Sequence, residues 1–174
     1  KIRKHRFIEE RYNQQLFRYD EGENTPAQPL QPTILGRFDA VVVSDYNKGF
    51  ITSESFKILQ GQLKPSIPIF VDSKKDNLTC FKNCIIKINE PEATKAMTDS
   101  TQEVVVTLGG SGARWKDEIF KTEKVDVYDV CGAGDVFLAS LVYGYLYRRH
   151  IPQLTDARPC LSLKWELMFL QGKI

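Results

Sequence analysis

Four short runs of apolar, largely β-branched residues constrain this chain more than any other feature. They are Phe38-Asp39-Ala40-Val41-Val42-Val43, Ile67-Pro68-Ile69-Phe70-Val71, Cys84-Ile85-Ile86-Lys87-Ile88 and Glu103-Val104-Val105-Val106-Thr107. Continuous runs, rather than alternation of apolar and polar residues, indicate strands buried on both faces, as in a parallel sheet. Between the first two, a Thr or Ser cap precedes Phe56, Leu59 and Leu63 at helical spacing, which predicts a helix over Thr52 to Leu63. A second, shorter helix is expected to follow Pro91, a residue suited to a first turn. Strand, helix, strand with right-handed crossovers gives a doubly wound, mostly parallel α/β sheet, whose ligands bind at the carboxyl ends of the strands.

Each run ends in polar or glycine residues. The endings are Ser44-Asp45-Tyr46-Asn47-Lys48-Gly49, Asp72-Ser73-Lys74-Lys75, Asn89-Glu90-Pro91-Glu92 and Leu108-Gly109-Gly110-Ser111-Gly112. One such loop is ordinary turn chemistry; four on one sheet edge make a site. Lys48 and Lys74 suit phosphate charge. Asn89 and Glu92 suit Mg²⁺ or its waters, because that hard cation takes oxygen ligands and keeps much of its hydration. The Gly109 to Gly112 loop supplies backbone amides for a nucleotide phosphate. It lacks the Gly-Lys-Ser/Thr ending of a P-loop, which argues against that class.

The stretch Asp129-Val130-Cys131-Gly132-Ala133-Gly134-Asp135 completes the set. Phe137, Leu138, Leu141, Val142, Tyr145 and Leu146 follow at helical spacing, so the glycines open an amphipathic helix and Asp135 lies in its first turn. Two readings stand at this point. Asp135 is either an acid in a favourable first-turn position, or a base beside an anion hole made by the amides of the helix start.

Composition narrows the partners. A chain of 174 residues with 42% hydrophobic and 26% charged residues has enough apolar sequence for a globular core. A net charge of +2, without a basic stripe interleaved with aromatics, argues against nucleic acid. No apolar run reaches membrane-spanning length, and the basic Lys1-Ile2-Arg3-Lys4-His5-Arg6 lacks the apolar centre of a signal peptide. The four cysteines have no metal-ligand spacing with the two histidines, His5 and His150, and no disulfide-framework density, so reduced thiols in a cytoplasm are expected.

The heptapeptide ending in Asp135 resembles the C-terminal signature of the ribokinase-like (PfkB) carbohydrate kinases. The resemblance implies that Asp135 is the catalytic base, that Gly132, Ala133 and Gly134 form the anion hole, and that Asp129 belongs to a monovalent-cation (K⁺) site. The family usually has Thr where this chain has Cys131. Asn89-x-x-Glu92 is similar to the family's Mg²⁺ and phosphate motif, and Thr107-Leu108-Gly109-Gly110-x-Gly112 to its nucleotide loop. By the same resemblance Lys74, Asn89, Thr107, Gly109, Gly110 and Gly112 bind nucleotide, Glu92 holds Mg²⁺ through water, and Asp45 and Lys48 lie at the substrate and phosphate edge.

Ser44-Asp45-Tyr46-x-Lys48-Gly49, Val71-Asp72-x-Lys74 and Gln14-Gln15-Leu16-x-Arg18-x-Asp20 most resemble the bacterial heptose-7-phosphate kinase branch, which usually has Pro where this chain has Ser73. That branch transfers the ATP γ-phosphate to a heptose 7-phosphate, giving the 1,7-bisphosphate used for lipopolysaccharide core or other surface glycans. Some of its members carry a further nucleotidyltransferase domain. The implied organisation is partial β lid strands over 1–22, a Pro-containing loop over 23–37, the α/β core over 38–157 and an atypical tail over 158–174. Dimerisation through the lid strands is implied as well.

The resemblance covers roughly Lys1 to Thr155. Family members begin with strands and a sugar-binding segment that have no counterpart here, so the sugar pocket is expected to be incomplete, with an unpaired sheet edge prone to association. After about Ala157 the pattern is lost; a diverged terminal helix and a shifted reading frame both account for it. Two functions from different classes therefore stand: an ATP-dependent carbohydrate kinase, for this or another sugar or a nucleoside, and a nucleotide-binding or assembly module without turnover.

Overall fold

A computed structural model describes residues 3–12, 14–22, 38–122 and 132–150. The expected loop over 23–37, the tail over 158–174, Asp129, Cys131 and Cys160 lie outside the described residues. The first two elements form an antiparallel ribbon, β1 (Arg3–Glu9) and β2 (Gln14–Glu21), with Phe7 opposite Phe17 and His5 opposite Tyr19. Phe7 and Phe17 stack with ring centroids 4.1 Å apart, and both remain about half exposed.

The body is a six-stranded sheet in sequential order: β3 (Val41–Asp45), β4 (Ile69–Ser73), β5 (Ile85–Asn89), β6 (Glu103–Thr107), β7 (Ala113–Trp115) and β8 (Glu118–Phe120). β3 to β6 are the four apolar runs, and they pair in parallel as expected. β7 and β8 continue the sheet antiparallel, an addition the sequence reading did not include. The first crossover is α1 (Ser53–Gln62), where Thr52 and Ser55 form a reciprocal capping box that satisfies two of the backbone donors at the helix start. α2 is a single turn (Glu90–Ala93) capped by Asn89, and α3 spans Ala133–His150.

Strand alternation sends successive side chains to opposite faces, and this decides everything about the site. One face carries Val43, Ile69, Val71, Ile86, Ile88 and Val106, packed with Phe56 and Leu59 of α1 and with Phe81. Phe56 and Phe81 meet edge to face at 4.9 Å. The other face carries Phe70, Ile85 and Val105, covered by Phe137, Leu138 and Leu141 of α3. Of the apolar positions expected on the last helix, Phe137, Leu138 and Leu141 bury, and Val142 and Tyr145 pack against them partly buried. Fully covering a large apolar side chain stabilises by about 1.5–3 kcal/mol, so the sheet binds α3 firmly and fixes where its first turn points.

Candidate functional site

The same alternation continues past the apolar residues to the carboxyl ends of the strands. On the α1 face the series Val41, Val43 ends at Asp45, and Ile69, Val71 ends at Ser73. On the α3 face Phe70 is followed by Asp72, and Ile85 by Lys87. Each ending pairs with its neighbour in the ladder, Asp45 with Ser73 and Asp72 with Lys87. Two buried polar clusters result, one on each side of the sheet edge.

On the α1 face the Asp45 carboxylate is consumed by structure. It accepts from Ser73 Oγ at 2.8 Å, from the Asn47 amide at 3.0 Å and from Lys75, whose ammonium also donates to the Ile51 carbonyl at 2.9 Å. Its side chain is 1% exposed. Asp45 thus borders the site while its charge pins the loop after β3, where Asn47 and Gly49 both take positive φ. Lys48 lies in this loop and is exposed.

On the α3 face Asp72 binds two lysines. Its Oδ2 accepts from Lys87 Nζ at 2.7 Å and its Oδ1 from Lys74 Nζ at 3.4 Å. Lys74 also donates to Glu92 Oε1 at 2.6 Å. Burial works against the Lys74 ammonium, but the Glu92 hydrogen bond and the charges of Asp72 and Glu92 outweigh it, so its pKa lies above the usual lysine value. Glu92 Oε2 accepts from the Asn89 amide at 2.9 Å, and Asn89 Oδ1 from the Glu92 amide at 2.8 Å. The Asn-x-x-Glu spacing is thus a capping box, and it holds the Glu92 carboxylate beside Lys74.

The start of α3 closes the arrangement. Gly132 has φ +76, open to glycine, and the first helical hydrogen bond runs from the Val136 amide to the Gly132 carbonyl at 2.9 Å. The amides of Ala133, Gly134 and Asp135 precede that bond, and among the described residues no acceptor meets them. Gly132, Gly134 and Asp135 line a cleft of about 210 Å³ with Ser44, Asp45, Tyr46, Asp72, Lys74 and Lys87. The ends of β3, β4 and β5 and one helix start therefore meet; of the four polar endings expected around that start, those after β3 and β4 line the cleft, and Asn89 to Glu92 and Leu108 to Gly112 do not.

Lys87 is the cleft residue that sequence reasoning missed. It is 4% exposed, and a Cβ on Gly134 would lie 2.8 Å from its Nζ. A lysine inside an apolar run on a strand buried on both faces was the available signal, because such a charge needs a partner.

The expected nucleotide residues divide. Asn89 and Thr107 stand side by side in the β5–β6 ladder, next to the cleft without lining it. Gly109 to Ser111 form a 3₁₀ turn, which the Leu108 amide closes by donating to the Gly112 carbonyl at 2.8 Å. Gly112 has a steric task as well: φ is +104, and a Cβ there would overlap the Phe120 carbonyl oxygen.

The donor set fits Mg²⁺ held mainly by phosphates and water. Glu92 offers hard oxygens beside Lys74, which lines the cleft, and among the described residues no three or more of His, Cys, Asp and Glu gather to cage a metal by themselves. Among the described residues no helix is long and apolar enough to cross a membrane.

Residues 7–155 match the family described as pfkB family carbohydrate kinase. Among curated relatives, the bifunctional protein HldE of a Nitratiruptor species is 34% identical, the match covering 75% of this chain and 34% of the relative. The bifunctional protein HldE of Campylobacter jejuni subsp. doylei is 29% identical over 76% of this chain and 35% of its own length. That of Sulfurimonas denitrificans is 31% identical over 75% and 34%. The chain spans about a third of the length of these relatives.

Proposed function

We infer the function from one premise: this chain belongs to the pfkB family of carbohydrate kinases. The reading is ATP-dependent phosphoryl transfer to a hydroxyl of a sugar phosphate, with heptose 7-phosphate as acceptor and the 1,7-bisphosphate as product. The observation that carries it is the meeting of Asp135, the amides of the α3 start and the Lys74–Asp72–Lys87 cluster in one cleft. The heptose acceptor is supported by the Ser44-to-Gly49 and Gln14-to-Asp20 segments and by the HldE relatives.

In this reading Asp135 takes the proton of the attacking hydroxyl, and the Gly132, Ala133 and Gly134 amides meet the negative charge of the phosphoryl group in flight. Because these amides are already oriented, no reorganisation is needed when charge develops. Lys74 binds nucleotide phosphate, Asn89 and the Thr107 to Gly112 loop frame the nucleotide, and Lys48 faces the acceptor's side. Glu92 holds Mg²⁺ through water, and that ion, when bound, neutralises phosphate charge. Asp129 completes a K⁺ site. Work in a cytoplasm, and pairing of two copies through the half-exposed aromatic face of the β1–β2 ribbon, belong to the same reading.

The test is MgATP turnover by the full chain with and without heptose 7-phosphate, beside Asp135→Asn. Sugar-dependent turnover that falls at least about 100-fold in the variant supports the reading, the scale expected for loss of a general base. Nucleotide binding without sugar-dependent turnover rejects it in favour of a nucleotide-binding module.

A further inference from the structure

We propose that Lys87 is a catalytic residue of this cleft: its ammonium, seated on Gly134 and held by Asp72, binds the phosphoryl group during transfer. The proposal rests on the kinase reading above and deepens it.

The placement of Lys87 is electrostatically costly unless an anion joins it. A helix start carries partial positive charge, yet the Lys87 ammonium occupies the space that a side chain on Gly134 would fill, against the first turn of α3. The strand could have buried an apolar residue here, as it does at Ile85, Ile86 and Ile88. Asp72 offsets part of the cost, with its Oδ2 accepting from Nζ at 2.7 Å. That bond uses one of three ammonium donors, and Asp72 is itself shared with Lys74.

A second cation, the amides of the helix start, which meet no acceptor among the described residues, and a cleft opening between them all favour the same occupant. It is a group with several negative oxygens, small enough to sit between strand ends and helix. The phosphoryl group in transfer meets this description. As the acceptor oxygen forms its bond to phosphorus, the hydroxyl proton passes to the Asp135 carboxylate. The bond from phosphorus to the β-phosphate oxygen breaks, and its electron pair leaves with ADP. Lys87 faces the equatorial oxygens throughout, on the side opposite bulk solvent. Asp72 acts through Lys87 and is a positioning residue. Gly134 then has two reasons to lack a side chain, approach of its own amide and room for the ammonium.

The test compares the unsubstituted full chain with Lys87→Met and Gly134→Ala, with Asp135→Asn as the control for the reading itself. MgATP and heptose 7-phosphate serve as substrates, and ADP with aluminium fluoride as the probe of the transferring group. The expected result for Lys87→Met is a kcat lower by about 100-fold or more, the scale of losing one preorganised donor. The KM for ATP and the affinity for ADP alone should stay within about threefold, while the gain in affinity from adding aluminium fluoride disappears.

Gly134→Ala keeps the charge but displaces only the flexible lysine tip, so it should lower kcat in the same way with little change in melting temperature. Because Gly134 also lends its amide to the helix start, it is undiminished turnover in folded Gly134→Ala that discriminates, and this holds even where Lys87→Met does not fold. Turnover near that of the unsubstituted chain in either folded variant overturns the assignment of Lys87 and leaves the kinase reading standing. No sugar-dependent turnover in the unsubstituted chain overturns both.

Discussion

The Lys74 ammonium donates to Glu92 Oε1 at 2.6 Å, joining two residues that the sequence assigns to different tasks. With Asp72 between Lys74 and Lys87, a chain of alternating charges runs from the capping box of α2 to the first turn of α3. The proposed phosphate ligand and the proposed Mg²⁺ ligand thus neutralise each other before a nucleotide arrives. Nucleotide phosphate and its metal would replace that partnership in kind, an anion for Lys74 and a cation for Glu92.

Glu92→Gln should therefore lower the Lys74 pKa. Burial opposes the ammonium, and the Glu92 hydrogen bond and the charges of Asp72 and Glu92 together overcome it; removing the Glu92 charge leaves desolvation less opposed. In the native chain the raised pKa means that this stabilisation is full below the usual lysine value and fades as pH rises through the folded one. An NMR titration of the Lys74 side chain reads the shift directly, and an unchanged midpoint in the variant would refute the account. Lys74→Met should weaken ATP binding by about 10- to 100-fold, the worth of one charge-assisted hydrogen bond, in a calorimetric titration.

Asp45→Asn should destabilise the fold by about 2–3 kcal/mol, because it leaves the Lys75 ammonium partly buried without its counter-ion. Ser73→Ala removes one hydrogen bond to the same carboxylate and should cost about 1 kcal/mol. Denaturant titrations of both variants rank them. A smaller loss for Asp45→Asn than for Ser73→Ala would mean that the carboxylate is not the pin of the β3 loop.

These pairs show what was legible in the sequence. The four apolar runs fixed the parallel strands, the helix-spaced Phe56 and Leu59 fixed α1, and the Phe137 to Tyr145 series fixed the buried side of α3, since burial pattern follows period. The polar endings after β3 and β4 marked the cleft's edge, whereas those after β5 and β6 lie beside it. Which face each ending occupies depends on strand parity, and parity separates Asp45, bound on the α1 face, from Asp72 and Lys87 on the other. Lys87 was hidden because one charge inside an apolar run reads as an interruption until a neighbouring strand supplies Asp72. The β7–β8 hairpin escaped because strands of three residues carry too few alternations to register.

Gly112→Ala should act on stability. At φ +104 an alanine is strained, and its Cβ would meet the Phe120 backbone oxygen, which no side-chain rotation can relieve. A loss of at least about 2–3 kcal/mol is expected from strain of this kind together with the displaced β8 strand. Amide exchange should quicken first across Ala113–Trp115 and Glu118–Phe120. A variant that keeps its melting temperature but loses nucleotide affinity would show instead that the backbone of this glycine serves only the phosphate loop.

Cys84 should behave as an inert core thiol while Cys80 reacts. Burial, with the neighbouring Cys80 adding to it, pushes the Cys84 thiol up to about 12, and its Sγ donates to the Lys82 carbonyl at 2.9 Å. At pH 8 its thiolate fraction is negligible, and the thiolate is the nucleophile. Iodoacetamide should label the half-buried Cys80 in the native chain and reach Cys84 only after unfolding. The same shift sets a stability trend. Between about 9 and about 12 the native state keeps a proton that the unfolded chain releases, so stability falls as pH rises through that window. Equal labelling rates for the two cysteines in the native chain would contradict both expectations, because a thiol that ionises readily cannot also hold its proton to high pH.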